Sequence, residues 1–157
     1  MLLRSFYRYK NYKKSVRFYT YFDKPIIKDK VAIIKLNGPN KMNVLNQNLF
    51  NEAKEILNDN FFIDNKLKAI VFMSSKSNNF IAGADIDMLK NIKNRSEILK
   101  ITNDGNDFFH KIKNKNIPLI AAINGSCMGG GLEWALYCDY RIATKNKDTM
   151  FILPDVK

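Results

Sequence analysis

From Val31 to Asn37 the chain reads VAIIKLN, a short β-branched run closed by Gly38-Pro39-Asn40. That is the pattern of a strand ending in a turn. Leu45, Leu49, Ala53, Ile56 and Leu57 then recur at helical spacing, with Asn46 at the N-cap position and Leu45 placed to pack against Phe50 across the first turn. A second strand, Lys68 to Ser74 (KAIVFMS), is mostly apolar, as expected of a strand covered on both faces. A polar link over Ser75 to Asn79 leads into FIAGADIDML. Past Ser96, the expected N-cap, Ile98, Ile101, Gly105, Phe108 and Ile112 form one apolar stripe that runs to about Lys115. Pro118 to Ile123 is the next strand. After it come NGSCMGGG, a helix over Leu132 to Cys138, a strand over Tyr140 to Thr144 and another beginning at Phe151 to Leu153. Strands alternating with helices predict an α/β fold with parallel pairing through right-handed crossovers.

The 157 residues, 46% hydrophobic and 26% charged, amount to one globular domain. The densest apolar run, Ile117 to Ile123, contains Pro118 and falls far short of the roughly 20 residues of a membrane helix. Cys127 and Cys138 are too few for a disulfide framework or a zinc site. The expectation is a soluble, intracellular chain with no integral membrane segment and no metal.

The net charge of +11 is unevenly placed. Residues 1–30 hold nine Lys or Arg against Asp23 and Asp29, a balance of +7, and the other 127 residues carry only +4. An even basic surface would suit nucleic acid; this distribution instead marks a basic extension, residues 1–30, on a domain of nearly ordinary charge, residues 31–157. The extension has no acid before Asp23, mixes Arg and Lys with Ser and aromatics, and lacks an apolar core of the secretory kind. That is the composition of a mitochondrial transit peptide, which must form a basic amphipathic helix on an anionic surface, and it implies the mitochondrial matrix. A solvated basic tail and a nucleic-acid-binding arm of stacked Tyr and Arg are the alternatives.

Phe80 to Asp85 and Asn124 to Glu133 share one layout: a buried strand, a Gly-containing turn and a helix start. Helix N-termini present unpaired backbone N–H groups and a partial positive charge, which together hold a developing anion. Two such turns facing each other would make an oxyanion hole from backbone alone. A dinucleotide-binding reading fails, because NGSCMGGG lacks the G-x-G-x-x-G spacing.

FIAGADIDML, followed about 40 residues later by AAINGSCMGGGLE, resembles the crotonase (enoyl-CoA hydratase/isomerase) superfamily over roughly Val31 to Lys157. GLEWALYCDYRIAT, and Ser-Ser-Lys ahead of FIAGADI, resemble the hydratase part of mitochondrial trifunctional enzyme α subunits. The resemblance implies a ββα spiral fold that is incomplete here, because the family's Gly-rich segment and C-terminal helices would follow Lys157. It implies hydration of a trans-2-enoyl-CoA in fatty-acid β-oxidation, with no cofactor beyond the CoA of the substrate. The same resemblance leaves open a double-bond isomerase or a non-catalytic acyl-CoA-binding or partner-binding remnant. It also points to a homo-oligomer or a β-oxidation complex subunit.

By the same resemblance, the N–H groups of Ala84, from AGAD, and Gly130, from GGGLE, would bind the thioester oxygen. Glu133 would be one of two carboxylates that hold and activate water. The second sits in the family phrase Pro-Glu-Val, matched here by Pro154, Asp155 and Val156, so the residue is an aspartate. Lys41, in PNKMN, matches a stretch near the CoA nucleotide, with a solvated loop lysine as the equal alternative. On their own, Glu133 reads as an acid completing a helix start, Asp85 as the N-cap of Ile86 to Lys90, Cys127 and Cys138 as small packing groups, and His110 as a surface or boundary residue.

Overall fold

The computed structural model describes residues 20–153. The transit-peptide reading of the N-terminus falls chiefly on residues outside that span, as does Asp155. The elements run β1 (Ile26–Lys28), β2 (Val31–Leu36), α1 (Gln47–Ile56), α2 (Asp59–Asn65), β3 (Ala69–Ser74), β4 (Asn78–Ile81), α3 (Ile86–Lys90) and α4 (Arg95–Lys113). Then follow β5 (Leu119–Ile123), β6 (Gly125–Met128), α5 (Gly130–Tyr137), β7 (Tyr140–Ala143) and β8 (Phe151–Ile152).

Two sheets are interleaved along the chain. One has the order β1-β2-β3-β5-β7, the other β4-β6-β8. Each of the pairs β3/β4, β5/β6 and β7/β8 gives its first strand to the larger sheet and its second to the smaller. Helices follow β4 and β6. Among the described residues all pairings between these strands are parallel except β1 with β2. The α/β class and parallel pairing are those expected from the alternation of elements.

The sheet begins earlier than the expected boundary at residue 31. Asp29 and Lys30, with φ of 50° and 66°, form a two-residue turn that pairs Lys28 with Val31. Both central residues of such a turn need positive φ, which is normally signalled by Asn-Gly or Asp-Gly, so Asp-Lys gives no warning of a hairpin. Upstream, Phe22 is buried and bridges Leu36. The Glu52 carboxylate on α1 accepts from the backbone N–H groups of Thr20, Tyr21 and Phe22 at 3.0 to 3.2 Å. Asp23 accepts from Asn37 Nδ2 at 2.8 Å and from the Ser75 hydroxyl. Residues 20–28 therefore belong to the folded domain and not to a separable extension.

Other differences are local. The helix expected after Ser96 starts two residues sooner, because Asn94 caps it by accepting from the Glu97 N–H at 3.0 Å. On β3, Ile70, Phe72 and Ser74 are buried while the alternate residues are only half-buried, so the two faces are unequally covered. Half of the Gly-rich NGSCMGGG is strand β6 and not turn, held edge to edge with β4 at Asn78↔Gly125 and Ile81↔Cys127. The core is centred on Trp134, whose rings meet Phe72 at 5.3 Å, Phe109 at 4.9 Å, Phe108 at 5.6 Å and Phe50 at 6.0 Å. It binds α1, α4 and α5 to the sheets. The outer strands β7 and β8 leave Tyr140, Ile142 and Phe151 exposed.

Candidate active site

β4 and β6 lie side by side and both deliver the chain to a helix start, so the two Gly-containing turns come together by strand pairing. In the first, Gly83 takes φ +103°, a region that excludes most side chains, and turns the chain out of the sheet. Asp85 then caps α3, its Oδ1 accepting from Asp87 N–H at 3.0 Å and Met88 N–H at 3.3 Å, as its sequence position suggested. Leu45 N–H donates to Gly83 O at 2.8 Å, and Asp85 N–H donates to Leu45 O at 2.9 Å. In a parallel rung of this kind the residue between the two bonded positions, Ala84, has its own N–H turned away from Leu45.

In the second turn, Gly129 stands at the N-cap of α5 and supplies no side-chain cap. Gly130 is the first helical residue, whose N–H has no partner within a helix. Among the described residues neither Ala84 N–H nor Gly130 N–H has an acceptor. Gly131 is what allows α5 to sit so close to β4: a β-carbon there would lie 2.4 Å from Ile81 O.

Ala84, Gly130 and Glu133 line one cleft of about 230 Å³. Its walls are mainly apolar, with Leu45, Phe50 and Met88 near the turns and Ile98, Ile101 and Phe109 from α4. Glu133 is exposed at the cleft, one turn into α5, and among the described residues its carboxylate has no hydrogen bond or ion pair. It does not act as a side-chain cap. The arrangement offers two backbone donors, an unengaged carboxylate and an apolar channel, which is what an acyl compound with a polarisable carbonyl needs.

The remaining expected residues divide. Lys41 sits on the exposed loop after β2 and is not among the residues lining the cleft. His110 is exposed, with its ring edge-on to Tyr137 at 6.4 Å. Cys127 is buried, its thiol donating to Gly131 O at 3.4 Å, and burial pushes it up to about 11. Cys138 is buried against Trp134 O at 3.5 Å and is pushed up to about 12, by burial first and then by the Asp139 charge. Both thiols pack and neither lines the cleft. Among the described residues no group of His, Cys, Asp or Glu is placed to hold a metal, and no helix is long and apolar enough to cross a membrane.

Sequence reasoning missed Asn43. Its side chain is buried, donating to Ser74 Oγ at 2.9 Å and Phe80 O at 3.1 Å and accepting from Gly38 N–H at 2.9 Å. Its backbone donates to Asn79 Oδ1 at 2.7 Å and accepts from Ala82 N–H at 2.8 Å. Asn43 thereby ties the segment ahead of α1 to β3, to β4 and to the loop after β2, and so fixes the approach to Ala84. The available signal was Ser74, a polar residue in phase with the buried face of β3, which must find a partner.

Comparison with known proteins gives the chain a family and a fold. The family model described as enoyl-CoA hydratase/isomerase matches residues 26–157. The chain is 39% identical over 130 residues to a fatty acid oxidation complex subunit alpha of Idiomarina loihiensis, covering 82% of this chain and 18% of that protein. It is 38% identical, with the same coverage, to the subunit of that name from Shewanella frigidimarina. Among solved structures, an enoyl-CoA hydratase from Geobacillus kaustophilus superposes with a TM-score of 0.77 at 29% identity, over 88% of this chain and 50% of that one. Pseudomonas aeruginosa DspI superposes with a TM-score of 0.74 at 26% identity, over 90% of this chain and 56% of that one. The chain thus spans about a fifth of the curated relatives and about half of the solved chains.

Proposed function

Because the chain belongs to the enoyl-CoA hydratase/isomerase family, we propose that it serves as the hydratase domain of fatty-acid β-oxidation, adding water to a trans-2-enoyl-CoA to give a 3-hydroxyacyl-CoA. The observation that carries this reading is the meeting of two unpaired backbone donors and an unengaged Glu133 carboxylate in one apolar cleft.

In this reading the thioester oxygen sits between Ala84 N–H and Gly130 N–H. Charge builds on that oxygen as water adds to the β-carbon, and each fixed donor contributes roughly 3 kcal/mol to the enolate-like transition state. Glu133 orients the water and accepts its proton as the C–O bond forms. Asp155 is the second carboxylate: in its protonated form it donates to the α-carbon, completing syn addition, and the proton that Glu133 took from water restores it, so that H and OH of one water are added across the double bond. CoA enters as part of the substrate, with Lys41 near its nucleotide, and the reaction uses no metal or redox cofactor.

The alpha-subunit names of the relatives support membership in a β-oxidation complex. The acid-free basic composition ahead of Asp23 supports import to the mitochondrial matrix. Residues 1–19 fused to a fluorescent reporter should concentrate it in mitochondria, and a diffuse cytosolic signal would refute that assignment.

The activity is tested by incubating the protein with trans-2-butenoyl-CoA and following loss of the ultraviolet absorbance of the conjugated thioester. Hydration that Glu133→Gln abolishes supports the reading. Turnover of a 3-enoyl-CoA with no hydration would replace it with an isomerase. Binding without either reaction would leave an acyl-CoA-binding remnant.

A further inference from the structure

β4 carries one residue more than the stretch of β6 it pairs with. Asn79 lies opposite Ser126, but Ile81, two residues on, lies opposite Cys127, so Phe80 is extra and β4 is bulged there. Bulges are uncommon in parallel pairs. This one sits in the core, with Asn79, Phe80 and Ile81 all buried.

The bulge decides where the two donors fall. Ile81 and Cys127 are the last residues at which β4 and β6 pair, and Ala84 and Gly130 each stand three residues beyond them. Regular pairing continued from Asn79 and Ser126 would set Ile81 opposite Met128, and Ala84 would fall one residue, about 3.3 Å, out of step with Gly130. That exceeds a hydrogen-bond length of about 3 Å, so one oxygen would no longer reach both donors.

Asn43 grips the bulge from the other edge of β4. The Phe80 carbonyl, on the residue that the ladder leaves over, accepts from Asn43 Nδ2 at 3.1 Å. Before the bulge, Asn43 N–H donates to Asn79 Oδ1 at 2.7 Å; beyond it, Asn43 O accepts from Ala82 N–H at 2.8 Å. Asn79 Nδ2 in turn donates across to Ser126 Oγ on β6 at 3.0 Å.

We propose that the bulge at Phe80, gripped by Asn43 and pinned through Asn79 to Ser126, sets the Ala84 and Gly130 donors level, and that Asn43 is a positioning residue of the hydratase site. The inference rests on the enoyl-CoA reading above and deepens it, by assigning the alignment of the two donors to a buried side chain that does not line the cleft.

The test is the infrared carbonyl stretch of hexanoyl-CoA, isotope-labelled at the thioester carbonyl and bound to the full chain, with near-ultraviolet circular dichroism as the check on folding. Two level donors polarise the carbonyl and move its stretch below that of the free thioester. Asn43→Asp keeps an acceptor for Gly38 N–H but removes the donor to Phe80 O. It still binds hexanoyl-CoA and loses most of that displacement, and it lowers kcat for trans-2-butenoyl-CoA about thirtyfold with little change in KM. Ser126→Ala loses a smaller part. Ser74→Ala removes another bond of Asn43, at 2.9 Å, without touching the bulge, and keeps the native stretch. If Asn43→Asp does not fold, Ser126→Ala decides. A native displacement retained in the folded Asn43 or Ser126 variant, or lost equally in Ser74→Ala, would overturn the inference and leave the acyl-CoA reading standing. A native chain that binds the thioester without displacing its stretch, or does not bind it, removes both.

Discussion

Leu45 and Gly130 are packed so closely that a β-carbon on the glycine would lie 2.9 Å from Leu45 Cδ1. The backbone of the same leucine holds Gly83 and Asp85 on either side of Ala84. One residue at the entrance to α1 therefore touches both turns that supply the candidate donors, its main chain setting one and its side chain resting on the other.

Gly130→Ala and Gly130→Pro each add a β-carbon against the flexible end of Leu45, but only proline removes the N–H. Proline is tolerated at the first position of a helix, so α5 should still form. Turnover of an enoyl-CoA is expected to fall about a hundredfold further in Gly130→Pro than in Gly130→Ala. Steady-state kinetics of the two proteins side by side measure the difference, and equal losses would show that the amide is not a catalytic donor.

Asp155 is one methylene shorter than the glutamate of the family phrase, which retracts its carboxylate by about 1.5 Å. A displacement on the order of 1 Å can slow a reaction about a hundredfold. Asp155→Glu is thus expected to accelerate hydration, while Glu133→Gln stops it in either background. If Asp155→Ala has no effect and Asp155→Glu brings no gain, position 155 is not the second carboxylate.

At Gly131, a β-carbon would lie 2.4 Å from Ile81 O and 2.7 Å from Ile81 Cβ, atoms that cannot swing aside. Gly131→Ala is expected to force α5 off β4 and destabilise the protein by about 2 kcal/mol, lowering the melting midpoint by roughly 6 °C. Thermal circular dichroism checks this. A midpoint within a degree of the native one would mean that the helix shifts freely.

Burial holds the Cys127 and Cys138 thiols protonated up to about 11 and about 12. In mildly alkaline buffer the native protein should therefore react very slowly with a disulfide reagent, while both thiols react at once in denaturant. Cys127→Ser should leave turnover nearly unchanged. Rapid reaction of the native protein would place a thiol outside the core.

Asp139 closes the start of β5, accepting from Leu119 N–H at 2.9 Å and from the Lys113 ammonium. The Lys113 contact, then the backbone bond, holds its carboxyl below the ordinary 3.8. A group depressed in the folded state contributes stability above its unfolded value and loses it as pH falls through the folded one. Asp139→Asn should lower the melting midpoint near neutrality by roughly 2 °C. The gap should close in strong acid, where both proteins carry a neutral group. A gap that persists in acid would assign the loss to packing.

The order and type of the main elements were legible in the chain itself. Short β-branched runs such as VAIIKLN, the helical spacing from Leu45 to Leu57 and the caps Asn46 and Asp85 act between neighbours in sequence, and local physics suffices for them. The paired motifs around Ala84 and Gly130 were legible for the same reason, since each is a short strand-turn-helix unit. Tertiary structure decided the rest. The Asp29-Lys30 hairpin and the Glu52 carboxylate that binds residues 20–22 depend on groups brought together from a distance, and neither carries a turn or charge pattern of its own. The edge-to-edge contact of β4 with β6 turned half of a glycine-rich segment into strand. The α4 stripe is one pattern in sequence, yet its halves face a core and a cleft. Hydrophobic spacing states that a face must leave water, and only the packing of α1, α4 and α5 around Trp134 determines whether protein covers it or space is left for a ligand.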